Sequence, residues 1–102
     1  MEHIQEFTSE EVQDLLSEEN NIEIIDVRES EEVEQGMIED AKHIPLGEVP
    51  NHIDSLNKDK HYVLVCRSGA RSMRAATYLD EQGFKVSNLA GGMLEWDGEV
   101  VF

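Results

Sequence analysis

Residues 61–73 read His-Tyr-Val-Leu-Val-Cys-Arg-Ser-Gly-Ala-Arg-Ser-Met. The first half of this stretch contains a run of strand-forming apolar side chains, residues 62–65, that leads directly into Cys66, the only cysteine of the chain. A helical pattern begins at Ser72. The side chains that recur on one face of that helix are Ala75, Ala76 and Leu79. The stretch therefore predicts a strand, a short tight loop and then a helix.

A cysteine in this position is expected to be reactive. Backbone N–H groups that curl from a strand end into a helix N-terminus favour negative charge. A thiol there, or beside an arginine, ionises below its ordinary pKa of about 8.5. Gly69 lets the loop backbone approach closely, and the guanidinium groups of Arg67 and Arg71 suit oxyanions such as phosphate, sulfate or thiosulfate. The alternative is a buried structural thiol; the two arginines favour a nucleophile that faces an anionic substrate.

Strands and helices are predicted to alternate along the chain. The predicted strands are residues 4–7, 22–26, 41–46, 62–66 and 84–88. The predicted helices are one that begins after Thr8, one at 30–35, one at 48–56 and one that runs from the loop to Gln82. This alternation predicts an α/β fold with a mainly parallel sheet.

Local signals mark the ends of these helices. Thr8 and Glu11 form a Thr-x-x-Glu capping box, Ser30 is predicted to cap the second helix, and Gly83 is predicted to follow the end of the fourth. The buried stripe of the first helix is predicted to be Val12, Leu15 and Leu16. Asp26 and Arg28 fall at the carboxyl end of a strand, where functional groups collect in open α/β sheets.

Three segments resemble the rhodanese family of sulfurtransferases. The loop of residues 66–72, Cys-Arg-Ser-Gly-Ala-Arg-Ser, resembles the family's active-site loop. The first signature of the family is matched by Ile24-Ile25-Asp26-Val27-Arg28, Glu32, Gly36, Ile38, Ala41 and Ile44-Pro45-Leu46. The last signature is matched by Asn88-Leu89-Ala90-Gly91-Gly92-Met93 and Trp96. The resemblance implies an α/β rhodanese-like fold: a five-stranded, mainly parallel sheet flanked by helices on both faces, with the loop at its carboxyl edge.

The resemblance also implies roles for residues. Cys66 is the expected catalytic residue. The expected substrate-binding residues are Arg67, Ser68, Gly69, Ala70 and Arg71. The expected supporting residues are Asp26, Arg28 and Ser72. Within that last group, Asp26 is expected to accept loop N–H bonds, Arg28 to pair with Glu32, and Ser72 to cap the helix. Met93 and Trp96 are expected in the core, and Gly91 and Gly92 in a turn near the pocket rim.

The chemistry that the resemblance implies is sulfur transfer without a metal or organic cofactor. The Cys66 thiolate takes a sulfane sulfur from thiosulfate or a persulfide donor, holds it as a cysteine persulfide and passes it to a thiophilic acceptor, such as cyanide or a cellular thiol. The chain departs from the family pattern at Met37-Ile38 and Asp40-Ala41, where His-Ile and Gly-Ala are common. These positions lie away from the thiol, so they bear on the pocket rim or a partner surface.

Other classes of protein fit the sequence less well. One alternative is a cysteine phosphatase or an arsenate reductase, which the length of the loop disfavours. Cysteine phosphatases have a Cys-x5-Arg loop, whereas Cys66 to Arg71 is Cys-x4-Arg, a shorter cradle that is better suited to one sulfur atom. A cysteine protease or a zinc site needs a positioned histidine, and the four histidines show neither arrangement. A noncatalytic rhodanese-like docking module is the remaining alternative, although such members usually lose the cysteine.

Composition bounds the answer further. The 102 residues suffice for one domain, residues 1–102, which we expect to be a complete protein and a monomer. A net charge of −15 disfavours binding to nucleic acid or to an anionic membrane. The chain has neither an apolar run of about 20 residues nor a signal-like N-terminus. One unpaired cysteine fits a reducing compartment, so the sequence predicts a soluble, cytoplasmic protein.

Overall fold

The computed structural model describes residues 4–18 and 21–102. Its strands are β1 (Gln5–Phe7), β2 (Ile22–Asp26), β3 (Lys42–His43), β4 (His61–Val65) and β5 (Lys85–Leu89). Its α-helices are α1 (Ser9–Glu18), α2 (Ser30–Val33) and α3 (Ala70–Glu81). Two 3-10 segments complete it, a long 3-10 helix at Leu46–Ser55 and a final 3-10 turn at Gly92–Glu95.

The five strands form one sheet in the order β1-β5-β4-β2-β3, and every neighbouring pair is parallel. Leu64 of β4 lies opposite Ile25 on one side and Asn88 on the other. The central position of β4 means that the residue after it, Cys66, emerges between two flanking strand ends. The predicted α/β architecture is thus confirmed.

The central strands are buried on both faces because helices cover the sheet on both sides. One apolar cluster contains Ile25 and Leu64 with Ala75, Ala76 and Leu79 of α3. The opposite cluster contains Val12 of α1 with Ile24, Val63, Val65 and Leu89. A strand that alternates apolar side chains between two cores reads as a continuous apolar run, as the parallel arrangement requires.

The first helix confirms its predicted cap but not its full predicted stripe. The Thr8 N–H donates to Glu11 Oε1 at 2.8 Å, and the Glu11 N–H donates to Thr8 Oγ1 at 3.2 Å. Val12 is completely buried, whereas Leu16 is 37% exposed. Leu16 was therefore wrongly predicted to be buried, because it lies in the last turn of the helix and outside both core clusters.

Two other helix predictions are corrected. Glu29, not Ser30, precedes the first turn of α2, and its N–H donates to Glu32 Oε1 at 2.9 Å. The segment predicted as a helix at 48–56 is the long 3-10 helix, which contains Pro50. The end of α3 agrees with the prediction, since Gly83 follows Gln82 with a φ of +93°.

The predicted strand at 41–46 is reduced to the two residues of β3. The N–H groups of Ile44 and Leu46 still donate to the carbonyls of Asp26 and Val27, at 3.0 Å each. Pro45 between them has no N–H to donate, so the regular ladder ends before it. Among the described residues, no helix is long and apolar enough to span a bilayer.

Candidate active site

Cys66 lies in a cradle at the carboxyl end of β4. The residue is 1% exposed, and its Sγ accepts hydrogen bonds from the Gly69 N–H at 3.0 Å and the Ser72 hydroxyl at 3.3 Å. Both donors belong to the loop or to the first turn of α3. The loop thus turns its polar groups inward to the sulfur, as the sequence predicted for a reactive thiol.

The surroundings of Cys66 favour its ionised form. Burial acts to raise the pKa of the thiol, but the Ser72 hydroxyl and the N–H groups of Ser72, Gly69 and Ser68 outweigh it. The pKa of Cys66 consequently lies below its ordinary value. A lowered pKa is expected of a nucleophilic cysteine and not of an inert structural one.

Gly69 gives the loop its shape. It has a φ of +111°, in the region that side chains disfavour, and it stands directly before the first residue of α3. Ser72 was predicted to cap this helix and does not, because α3 begins two residues earlier at Ala70. Its hydroxyl is instead within hydrogen-bonding distance of the sulfur and of the Gly69 carbonyl.

The final 3-10 turn holds the loop through backbone hydrogen bonds. The Met93 N–H donates to the Cys66 carbonyl at 2.8 Å, and the Leu94 N–H donates to the Arg67 carbonyl at 3.0 Å. Gly92, with a φ of +60°, brings its backbone so close that a Cβ there would stand 2.5 Å from the Cys66 carbonyl oxygen. Sequence reasoning assigned Gly91 and Gly92 to a turn and missed this contact; the paired glycines were the available signal.

Arg71 is held by an acidic partner. Its two terminal nitrogens bind both oxygens of Glu32, at 2.8 and 2.7 Å. The hydrogen bonds from Arg71 and from the Glu29 N–H are the main reasons that the pKa of Glu32 falls to about 2. The pair joins α2 to the first turn of α3, so Arg71 is positioned by the protein and its charge is balanced.

Arg28 was predicted to form an ion pair with Glu32, and that prediction is wrong, because Arg28 Nη1 donates to the Glu32 backbone carbonyl at 3.3 Å and not to the carboxylate. Its guanidinium forks onto Asp26, with Nε 3.0 Å from Oδ1 and Nη2 2.8 Å from Oδ2. Nη2 also donates to the Gly36 carbonyl at 2.9 Å, and Asp26 accepts the Arg28 N–H at 3.0 Å. Both side chains are buried. Together they fix the turn after β2, which brings α2 and Glu32 to Arg71.

Arg67 is the arginine of the loop that stays exposed. Its side chain forms no hydrogen bond or ion pair with residues 4–18 or 21–102, although its backbone carbonyl accepts the Leu94 N–H. Its side chain lines a cavity of about 210 Å³ whose other lining residues are Arg28, Glu32, Gln35, Met93 and Leu94. Met93, which was predicted to be a core residue, both packs against the core and lines this cavity.

The other predicted site residues lie in the loop without side-chain contacts to the sulfur. Ser68 is exposed and offers its N–H, and Ala70 is the exposed first residue of α3. Asn88 belongs to the last family signature but was not predicted as a site residue. It proves to bind the Gly69 carbonyl through its side-chain amide at 3.1 Å.

A thiol in a loop of N–H groups, after the central strand of a parallel sheet, defines the class of protein. The family model of the rhodanese-like domain matches residues 8–99, and the chain belongs to this family. A putative sulfurtransferase of Bacillus subtilis, YtwF, is 48% identical over 96 residues, which cover 94% of this chain and 93% of the relative. A sulfurtransferase of Allochromatium vinosum is 38% identical over 94 residues, covering 91% and 88%.

Similarity to a solved structure indicates the same family as the sequence relatives do. A rhodanese-like domain protein from Staphylococcus aureus superposes with a TM-score of 0.90 at 35% identity, covering 97% of this chain and 98% of that chain. The predicted rhodanese-like fold and family are therefore confirmed, and similarity to proteins named as sulfurtransferases directs the functional proposal.

Proposed function

We propose that this protein is a sulfurtransferase in which Cys66 carries a sulfane sulfur as a persulfide. The observation that carries the proposal is the cradle: the sulfur of the only cysteine accepts bonds from the Gly69 N–H and the Ser72 hydroxyl. These donors stabilise a thiolate before the reaction and a negatively charged persulfide after it. Rhodanese-like relatives named as sulfurtransferases support the same reading.

With thiosulfate as donor, each step balances without an added oxidant. The Cys66 thiolate attacks the outer sulfur, the sulfur–sulfur bond of thiosulfate breaks, and its electron pair leaves with sulfite. The new bond joins Cys66 Sγ to the transferred sulfur. A cyanide ion or a thiolate then attacks that outer sulfur, and the bond between it and Cys66 Sγ breaks. The electron pair of that bond returns to Cys66 as the restored thiolate, and the product released is thiocyanate or a new persulfide on the acceptor thiol. A single unpaired thiol suits a reducing compartment, so we place this reaction in the cytoplasm.

The two loop arginines divide their work in this proposal. Glu32 neutralises Arg71 through a bidentate pair, so Arg71 braces the loop. Arg67 has no such partner among the described residues and lines the cavity of about 210 Å³. Arg67 is therefore the cation that we expect to attract the sulfonate end of thiosulfate or the carboxylate of a small persulfide.

Intact-mass measurement after incubation with thiosulfate tests the proposal directly. Wild type should gain the mass of one sulfur atom and lose it on treatment with cyanide, while Cys66→Ala should gain nothing. A wild-type protein that stays unmodified by thiosulfate and by small persulfides would leave a docking module as the better interpretation. Release of phosphate from aryl phosphates would instead indicate a phosphatase.

The same assay separates the roles of the arginines when its rate is followed against donor concentration. Arg67→Gln should raise the thiosulfate concentration at half-maximal rate by about 10-fold, the loss of one charge-assisted contact. Arg74→Gln removes an exposed charge on α3 that lies outside this cavity, and it serves as the matched control. Equal effects of the two substitutions would show that only general charge matters.

A further inference from the structure

Asn88 lies beneath the loop, in a position that the proposed chemistry does not use. It is the fourth residue of β5, is completely buried, and lies opposite Leu64 of the central strand. Its Nδ2 donates to Glu6 Oε2 at 3.0 Å and to the Gly69 carbonyl oxygen at 3.1 Å. Both partners are acceptors, so only the amino group of the amide can face them.

The Oδ1 atom of the same side chain is buried and has no hydrogen-bond partner among the described residues. A buried acceptor without a partner destabilises a fold. An apolar side chain of similar size would avoid that cost but would lose the two hydrogen bonds that Nδ2 donates, to Glu6 and to Gly69. The hydrogen bond to the Gly69 carbonyl connects the Asn88 amide to the loop that holds Cys66.

Three donors converge on the Gly69 carbonyl oxygen. They are the Met73 N–H at 3.1 Å, Asn88 Nδ2 at 3.1 Å and the Ser72 hydroxyl at 3.3 Å. A carbonyl oxygen has two lone pairs, which the first two donors fill. The distance of 3.3 Å is long for a hydroxyl that donates to oxygen, whereas sulfur, a larger atom, lies within contact at the same distance.

The Ser72 hydroxyl has a single proton and two candidate acceptors, the Gly69 carbonyl and Cys66 Sγ. We propose that Asn88 is a positioning residue for sulfur transfer: by occupying the Gly69 carbonyl, it commits the Ser72 proton to Cys66 Sγ. The hydrogen bonds of the Asn88 side chain go to Glu6 and Gly69 and not to the sulfur, and Asn88 does not line the cavity that Arg67 lines.

Charged groups surround the loop on each side. Arg67 belongs to the loop itself, Arg71 projects from α3 and its partner Glu32 from α2. Glu6 of β1 binds Asn88. Replacing Asn88 by an uncharged residue leaves all four charges in place, so a change in the ionisation of Cys66 reports the redirected Ser72 proton.

The test measures the ionisation of Cys66, the only cysteine, in the full chain by thiolate absorbance against pH, with Cys66→Ala as blank. Asn88→Leu should raise the thiol pKa by about one unit, a roughly tenfold loss of thiolate fraction below that pKa, because the Ser72 hydroxyl then donates to the free Gly69 carbonyl and the thiolate loses one hydrogen bond. Ser87→Ala, the buried neighbour on β5, should leave the thiol pKa unchanged. Asn88→Ala provides the same readout if the leucine variant does not fold.

A double-mutant cycle with Ser72→Ala decides whether Asn88 acts through Ser72. Once the hydroxyl is gone, Asn88→Leu should no longer shift the thiol pKa. Equal shifts with and without Ser72, or no shift in any Asn88 variant, would overturn the inference. The inference rests on the proposed role of Cys66 as nucleophile. Its test uses no sulfur donor, so failure of sulfur loading and failure of this inference are distinguished.

Discussion

The arginines near the site show how function depends on which charges are already matched. Arg28 is buried against Asp26, and Arg71 is forked onto Glu32. Arg67 is exposed and has no partner within the described residues. Although all three carry the same charge, the proposed reaction uses only Arg67 to attract an anion, because an anion gains little from a guanidinium that a carboxylate has already neutralised.

The Glu32–Arg71 pair predicts a pH-dependent part of stability. The pKa of Glu32 is about 2 in the folded chain, below the value of about 4.3 expected when unfolded. The pair therefore stabilises the fold fully above about pH 5 and loses its effect as the pH falls toward about 2. Urea unfolding should show Glu32→Gln less stable than wild type by roughly 1 kcal/mol near pH 7, allowing for the partial exposure of the pair.

The difference between Glu32→Gln and wild type should shrink as unfolding is repeated at lower pH. Glu31→Gln, at an exposed neighbour on the same helix, is the matched control and should match wild type throughout. A constant difference across the acid range would mean that the charge of Glu32 contributes nothing and that only its shape or its contact with Glu29 matters.

Local sequence patterns predicted some side-chain contacts correctly and others wrongly. The Thr8–Glu11 box was found because both partners lie within one turn. The spacing of Arg28 and Glu32 suggested an ion pair, but Asp26, two residues before Arg28, captures the guanidinium. The real partner of Glu32 is Arg71, 39 positions away, and such a pair follows from how α2 and α3 pack and not from sequence spacing.

Among the elements, the loop and the final 3-10 turn act as one unit. The turn donates two N–H groups to the carbonyls of Cys66 and Arg67, and only a glycine at position 92 lets the two backbones come so close. The sequence showed each element, since a Gly-Gly pair indicates a turn. It did not show the contact, which depends on β4 and β5 being neighbours in the sheet.

Gly92→Ala should therefore displace the backbone of the active-site loop, although Gly92 itself lies in the 3-10 turn and not in the loop. The new Cβ would lie 2.5 to 2.6 Å from backbone atoms of Cys66 and Arg67, which have no flexible side chain to move aside. Together with the positive φ, this should cost about 2–4 kcal/mol of stability. Sulfur loading by thiosulfate, measured by intact mass, should fall strongly even where circular dichroism shows that the variant is still folded.

Gly47→Ala is the matched control, since its new Cβ would have no heavy atom within 4 Å. It should leave both stability and loading near wild type. If Gly92→Ala loaded sulfur at the wild-type rate, the turn would not be needed to hold the loop in shape.

Over the whole molecule, the negative electrostatic field of the acidic chain opposes the local positive charge of the loop arginines. The chain carries a net charge of −15, and residues 1–40 contain fifteen acids and only one arginine or lysine, whereas three of the four arginines fall between 67 and 74. The molecule measures 30 × 30 × 26 Å. The screening length is about 30 Å at 0.01 M salt and about 8 Å at 0.15 M. At low salt an anion therefore feels the whole protein, and at physiological salt only the nearby arginines.

This comparison predicts an unusual salt dependence for an anion-binding site. Sulfur loading by the thiosulfate dianion should be faster, by between about 2-fold and 10-fold, when salt is raised from about 0.01 to about 0.15 M. Long-range repulsion by the acidic surface is screened first, while Arg67 acts at contact distance. Alkylation of Cys66 by uncharged iodoacetamide corrects for any effect of salt on thiol ionisation and should change little. Loading that slows as salt rises would show instead that attraction by the loop arginines outweighs the acidic field even at long range.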